Sequence, residues 1–200
     1  MQIKSAKLLA TVADFQKIPS HGLPEIAIAG KSNSGKSSLI NTLANRRNLA
    51  RVGSTPGKTK LVNLFVFNDA FCLVDLPGYG YAAVSKQEQQ RWAARVDGYL
   101  SGSQALRHML LLMDIRRDPS PDDIQLCQFM LYQQLPYTLI ATKADKVSKS
   151  QRKVRTDAIQ RALHLPGESV IIPFSAQDRT GLDALLARLD DVLATVTAQQ

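Results

Sequence analysis

The sequence predicts an α/β fold: about six strands in a mostly parallel sheet with one antiparallel edge strand, and helices on both faces. Three observations point there. Short apolar, β-rich runs alternate with longer amphipathic segments along the chain. The first clear run, Glu25-Ile26-Ala27-Ile28-Ala29, leads through a glycine turn straight into helix-forming sequence. Residues 61–67 and 71–74 read as two strands joined only by Asn68-Asp69-Ala70, which is turn chemistry and makes this pair the antiparallel edge.

The remaining elements follow in order. A helix over 36–45 is followed by a polar, glycine-containing loop to about Lys60. Over 85–100, Trp92, Val96, Tyr99 and Leu100 fall at helical spacing and mark an inward face, which makes Trp92 a core residue. Then come a strand over 108–113, a helix over 121–134 with proline at its first position, and a strand over 137–141. A helix over 150–163, a strand over 169–174 and a helix over 181–195 complete about five helices. With 200 residues and 44% hydrophobic content, the chain is expected to form one domain over 1–200, with 1–23 as an N-terminal extension.

Composition narrows the function classes. No run approaches the roughly 18 consecutive apolar residues of a membrane span, and Lys4, Lys7, Asp14 and Lys17 are foreign to a signal-peptide core. A cytoplasmic protein with no membrane role is expected. Cys72 and Cys127 lie in apolar segments without metal-ligand spacing and read as small buried hydrophobes. The net charge of +8 fits either a polyanionic partner or a solvated basic surface.

The chemistry is concentrated in short motifs. Gly30-Lys31-Ser32-Asn33-Ser34-Gly35-Lys36-Ser37 matches G-x-x-x-x-G-K-[ST] between a strand and a helix, the context of a phosphate loop. Its glycines let the backbone wrap phosphate oxygens, its amides and the helix N-terminus supply positive potential, Lys36 reaches the β and γ phosphates, and Ser37 ligates magnesium. Asp75-Leu76-Pro77-Gly78 ends a second hydrophobic strand, where an aspartate holds magnesium through water and a glycine N–H senses the γ phosphate. Thr142-Lys143-Ala144-Asp145 follows the strand over 137–141 and matches the base-recognition pattern [NT]-K-x-D. Asp145 accepts from N1–H and the 2-amino group of guanine, a donor pair adenine lacks, and Lys143 packs its stem across the purine. Phe174-Ser175-Ala176 sits where a final loop contacts guanine O6, a weak signal outside this order.

These residues resemble the EngB (YihA/YsxC) family of bacterial ribosome-biogenesis GTPases, within the TRAFAC class of P-loop GTPases. The likeness runs from about Pro24 to Leu189, through Gly30–Asn41, Ser54-Thr55-Pro56-Gly57-Lys58-Thr59, Asp75-Leu76-Pro77-Gly78-Tyr79-Gly80-Tyr81 and Asp114-Ile115-Arg116-Arg117. The resemblance implies a single G domain and a magnesium-dependent GTPase switch in large ribosomal subunit assembly, with a need in normal septation. It makes Thr59 the switch I magnesium ligand, with Thr55 the alternative, and sets Gly57, Lys58, Thr59, Lys60 and Leu61 beside the γ phosphate. Lys36, Thr59 and Gly78 then carry catalysis.

Two positions depart from the better-known Ras-like pattern. Tyr79 stands where those enzymes keep a water-positioning glutamine, so hydrolysis is expected to be slow without an activating partner or a monovalent cation. Asn33 either helps hold potassium near the phosphates, as in potassium-stimulated GTPases, or braces the loop. Thr142 replaces the commoner asparagine, which weakens a contact to purine N7.

Charge placement points to a partner. Between Ile26 and Asn68 there is no acidic residue, while Lys31, Lys36, Arg46, Arg47, Arg51, Lys58 and Lys60 fall there. A second cluster, Lys146, Lys149, Arg152, Lys153 and Arg155, follows the guanine motif. Ribosomal RNA of the large subunit is the expected target of both, solvated faces being the alternative. The reading is a monomeric switch that docks on the large subunit with GTP bound and leaves after hydrolysis. A GTP-gated interaction module acting directly in cell division is the alternative, and a nucleotide kinase leaves the guanine motif unexplained.

Overall fold

The computed structural model describes residues 1–51, 61–79, 94 and 96–197. Its strands are β1 (Ala6–Val12), β2 (Glu25–Gly30), β3 (Val62–Phe67), β4 (Phe71–Asp75), β5 (Leu106–Asp114), β6 (Tyr137–Thr142) and β7 (Ile171–Pro173). They form one sheet in the order β1-β3-β4-β2-β5-β6-β7. Helices are α1 (Lys36–Leu43), α2 (96–102), α3 (Pro121–Tyr132), α4 (Lys149–Ala162) and α5 (Leu182–Thr197). Among the described residues, no helix is long and apolar enough to cross a membrane.

The sheet's centre reads as its burial demands. All six residues of β2 are buried, because α/β crossovers cover both faces of a parallel strand and leave no polar side. Successive β2 residues serve opposite layers. Ala27 and Ala29 join Tyr99, Cys127, Met130 and Ile159 of α2, α3 and α4. Ile26 and Ile28 join Leu39 and Ile40 of α1 and Leu185 and Leu189 of α5. Burying each of these larger side chains contributes roughly 1.5–3 kcal/mol. Helix α3 starts where its residues satisfy its orphan amides: Ser120 and Asp123 form a reciprocal capping box, with Pro121 at the first turn.

The sheet is mostly parallel with an antiparallel edge, as the sequence predicts, and has one strand more, β1, which extends that edge. β3 pairs antiparallel with β4 on one side and with β1 on the other, so β1 takes the edge. β1 lies within residues 1–23, and its core-facing set is small: Ala6 is buried, and Ala10 and Val12 are half-buried against the core. Its anchorage is remote: Asn68, at φ 53° in the β3–β4 turn, accepts Lys4 N at 2.7 Å and Ser5 N at 3.0 Å. The helix expected over 85–100 is described only at Ala94 and from residue 96, where it continues to 102, so Trp92 lies outside the described residues.

The carboxyl ends of β2, β4, β5 and β6 lie side by side, and each feeds a loop that carries one of the motifs. Such a crest is where open α/β sheets bind ligands.

Candidate nucleotide site

The loop from Gly30 to Ser37 leaves β2 and turns into α1 at Gly35, whose φ of 100° favours glycine. Ser34 N donates to Lys31 O at 2.9 Å and closes the turn. The amides of Asn33, Gly35, Lys36 and Ser37 find no acceptor among the described residues. Together with the α1 N-terminus they form an anion-binding concavity. Among the described residues, Lys36 Nζ makes only a long 3.5 Å contact to Gly30 O, so its charge stays available to an anion.

The segment after β4 closes on this loop. Ser32 N donates to Tyr79 O at 3.0 Å, and a Cβ built on Gly78 would lie 3.1 Å from Ser32 N and 3.2 Å from Lys36 Nζ. A side chain at Gly78 would therefore crowd the lysine. Asp75 is buried beside it, and its Oδ1 finds no hydrogen-bond partner among the described residues. Burial pushes its carboxyl up to about 6, against the pull of Lys36 and a hydrogen bond from Asn63. A buried oxygen with no donor fits a hydrated divalent cation, and Ser37, on the first turn of α1, offers the matching hydroxyl.

Tyr79 points away from the site. Its hydroxyl donates to Asp123 Oδ1 at 2.7 Å at the start of α3, and burial first, then Asp123, raise its pKa well above the usual phenol value. The ring that replaces glutamine in sequence is thus held in the core layer.

The third wall comes from β5 and β6. Thr142 Oγ1 lies 2.7 Å from Ser34 O and 3.0 Å from Met113 O, so this hydroxyl braces the loop. Lys143, in left-handed backbone at φ 59°, donates to Asn33 O at 2.9 Å and pairs with Asp114 at 3.0 Å. Asp114 also accepts Arg116 Nε at 2.9 Å and Nη2 at 2.7 Å. Burial raises the Asp114 pKa, but the hydrogen bonds from Arg116 and Lys143 outweigh it and hold the carboxyl well below the usual range. Asp145 is half-buried, and Ala144 N donates to Phe174 O at 3.0 Å, which ties its turn to β7. Burial raises the Asp145 carboxyl, yet hydrogen bonds from Lys146 and Ser175 bring it below its ordinary value, so it is ionised at neutral pH. Ser175 is buried and Ala176 exposed beside it.

Gly57, Lys58, Thr59 and Lys60, with Thr55, lie outside the described residues, and Leu61 is exposed just before β3. Sequence reasoning quoted Asp114 and Arg116 without a role, and their position at a strand end was the available signal. The sequence puts Arg152 and Arg155 in a basic cluster aimed at ribosomal RNA or at solvent, whereas Arg152 Nε donates to Ala144 O at 3.1 Å and Arg155 Nε to Ile115 O at 2.8 Å. Both arginines brace the loops of this wall.

Comparison with known proteins agrees with the geometry. The family model for "50S ribosome-binding GTPase" matches residues 25–143. The chain is 44% identical over 193 residues to the probable GTP-binding protein EngB of Caldanaerobacter subterraneus subsp. tengcongensis, covering 96% of this chain and 99% of that one. It is 45% identical to the Syntrophomonas wolfei protein of the same name, with 96% and 99% covered. A crystal structure of a probable GTP-binding protein engB superposes with TM-score 0.72 at 23% identity, over 86% of this chain and 99% of the other, and shares the fold. The chain belongs to the EngB family of P-loop GTPases.

Proposed function

We propose that this chain is a magnesium-dependent GTP-binding protein and slow GTPase, a cytoplasmic, monomeric switch in assembly of the large ribosomal subunit. One observation carries the nucleotide reading: a loop with four amides free among the described residues and the weakly engaged Lys36 is flanked by Gly78 on one side and by the wall of Lys143 and ionised Asp145 on the other. The amides and Lys36 bind the phosphates, and Asp145 accepts the two guanine donors. Ser37, Thr59 and, through water, Asp75 hold Mg2+, which neutralises phosphate charge when bound. Lys143 covers the purine, Phe174 to Ala176 close the O6 side, and Gly57 to Leu61 complete the γ-phosphate end.

Slow turnover follows from Tyr79. With its hydroxyl on Asp123, the side chain does not orient water, so Lys36, Thr59 and Gly78 act without a glutamine. Acceleration then comes from a bound partner or from K+ at Asn33, and equal rates in potassium and sodium would remove the cation. The ribosomal role rests on the family to which the chain belongs and on its charge of +8.

The decisive experiment is a specificity swap. Asp145→Asn turns one carboxylate oxygen into a donor that suits the C2 carbonyl of xanthine. GDP affinity should fall by on the order of 100-fold or more while XDP affinity rises. Unchanged GDP preference would reject the guanine assignment. Cosedimentation with large subunits in a GTP analogue, but not in GDP, tests the switch.

A further inference from the structure

The arginines of the two basic clusters differ in what their charges touch. On α4, Arg152 and Arg155 donate to backbone carbonyls, Arg155 also reaches Asp118 at 3.1 Å, and Lys153 pairs with Asp157 at 2.6 Å. After α1 the opposite holds. Arg46, Arg47 and Arg51 are exposed, and none of their guanidinium groups makes a hydrogen bond or ion pair among the described residues.

Their backbone is nevertheless fixed. Asn41, 9% exposed, donates through Nδ2 to Ala50 O at 2.8 Å and Arg47 O at 3.2 Å, and its Oδ1 accepts Ala50 N at 2.8 Å. Arg46 N donates to Asn41 O at 2.9 Å. Ala50 is buried in the α1 layer, and Arg179 donates to Asn45 Oδ1 from the far side of the turn. One buried amide thus folds 45–50 into a closed turn that shows Arg46 and Arg47 to solvent, with Arg51 exposed directly after it.

We propose that this turn is a preformed docking surface for the phosphate backbone of RNA, with Arg46, Arg47 and Arg51 as its contacts. The proposal rests on the ribosomal reading above and names the surface that reading needs. Free guanidinium groups pair with phosphate oxygens through forked donors. Fixing the turn in advance spares the ordering entropy of a loop that folds on contact. The nearest carboxylates in sequence are Glu25 and Asp69, so no acidic neighbour within the segment competes. The excess of +8 adds a long-range field that favours a continuous polyanion over a patchy acidic protein.

The test uses the whole chain as wild type, as Arg46→Gln/Arg47→Gln/Arg51→Gln, and as Lys149→Gln/Lys153→Gln. Anisotropy with a labelled duplex of large-subunit rRNA sequence, read across salt, should lose about 2 to 3 from its log–log salt slope in the arginine variant. GDP affinity should stay unchanged and the lysine variant should lose less. An unaltered slope in the arginine variant overturns the proposal. Loss of subunit cosedimentation with an unaltered RNA slope also overturns it, in favour of an acidic protein surface. A wild type that never cosediments with subunits sinks the ribosomal reading alone, and the RNA arm still decides the arginine surface.

Discussion

Asp114 supports the wall that carries Lys143, and removing its charge tests that. It is 7% exposed at its side chain and accepts Lys143 Nζ at 3.0 Å, while Lys143 also holds Asn33 O across the site. Asp114→Ala leaves this lysine with one anchor. A charge-assisted hydrogen bond contributes about 1.5–3 kcal/mol when buried, and Lys143 is a third exposed, so about 1–2 kcal/mol is a fair discounted figure. Because the lysine links Asp114 to the loop at Asn33, the loss is expected in the nucleotide complex as a roughly 5- to 30-fold faster release of fluorescent GDP. Stopped-flow dissociation measures it. Asp114→Asn should resemble the alanine variant, because its new amide faces the Arg116 and Lys143 donors. Because the folded carboxyl titrates below its ordinary 3.8, the contribution is complete above that pH and is lost only as pH falls through the lowered value. Release within twofold of wild type in Asp114→Ala would refute the coupling, and wild-type behaviour of Asp114→Asn would refute the part played by charge.

Two further outcomes follow from buried polar groups. Tyr79→Phe removes the 2.7 Å bond to Asp123 and should cost about 2 kcal/mol, seen as a thermal midpoint lower by roughly 4–8 °C, and an unchanged midpoint would count against the latch. His108, 1% exposed against Thr138, has its pKa lowered from 6.5 to about 4 by burial and then by Arg188. The unfolded chain therefore binds the extra proton between those values, and stability is full above 6.5 and falls as pH drops towards 4. Asp75, raised to about 6, works in the opposite sense. The His108 share is read as the difference between wild type and His108→Gln in urea at pH 7.5 and 5, expected to be about 2 kcal/mol.

What the sequence could and could not reveal follows one physical division. Where chemistry needs fixed residue types at short spacing, as in Gly30 to Ser37 or Thr142 to Asp145, local sequence is sufficient, because backbone amides and a strand end do the positioning. β1 escaped because the apolar face it offers is short and small, Ala6, Ala10 and Val12 with a register shift between, while its placement depends on the distant β3 strand and Asn68. Tyr79 was legible as a missing glutamine, but its side-chain direction depends on Asp123, 44 residues away. Charge is the hardest to read, because a count of cations carries no account of their partners. Arg152 and Arg46 look alike in sequence. One finds the Ala144 carbonyl and braces the turn that carries Asp145, and the other finds no protein acceptor among the described residues. A bound guanidinium has already exchanged water for protein, so it has less to gain from a phosphate than one still hydrated. An RNA surface on this protein is therefore to be sought where buried Asn41 spends its hydrogen bonds on backbone and leaves the arginines their own.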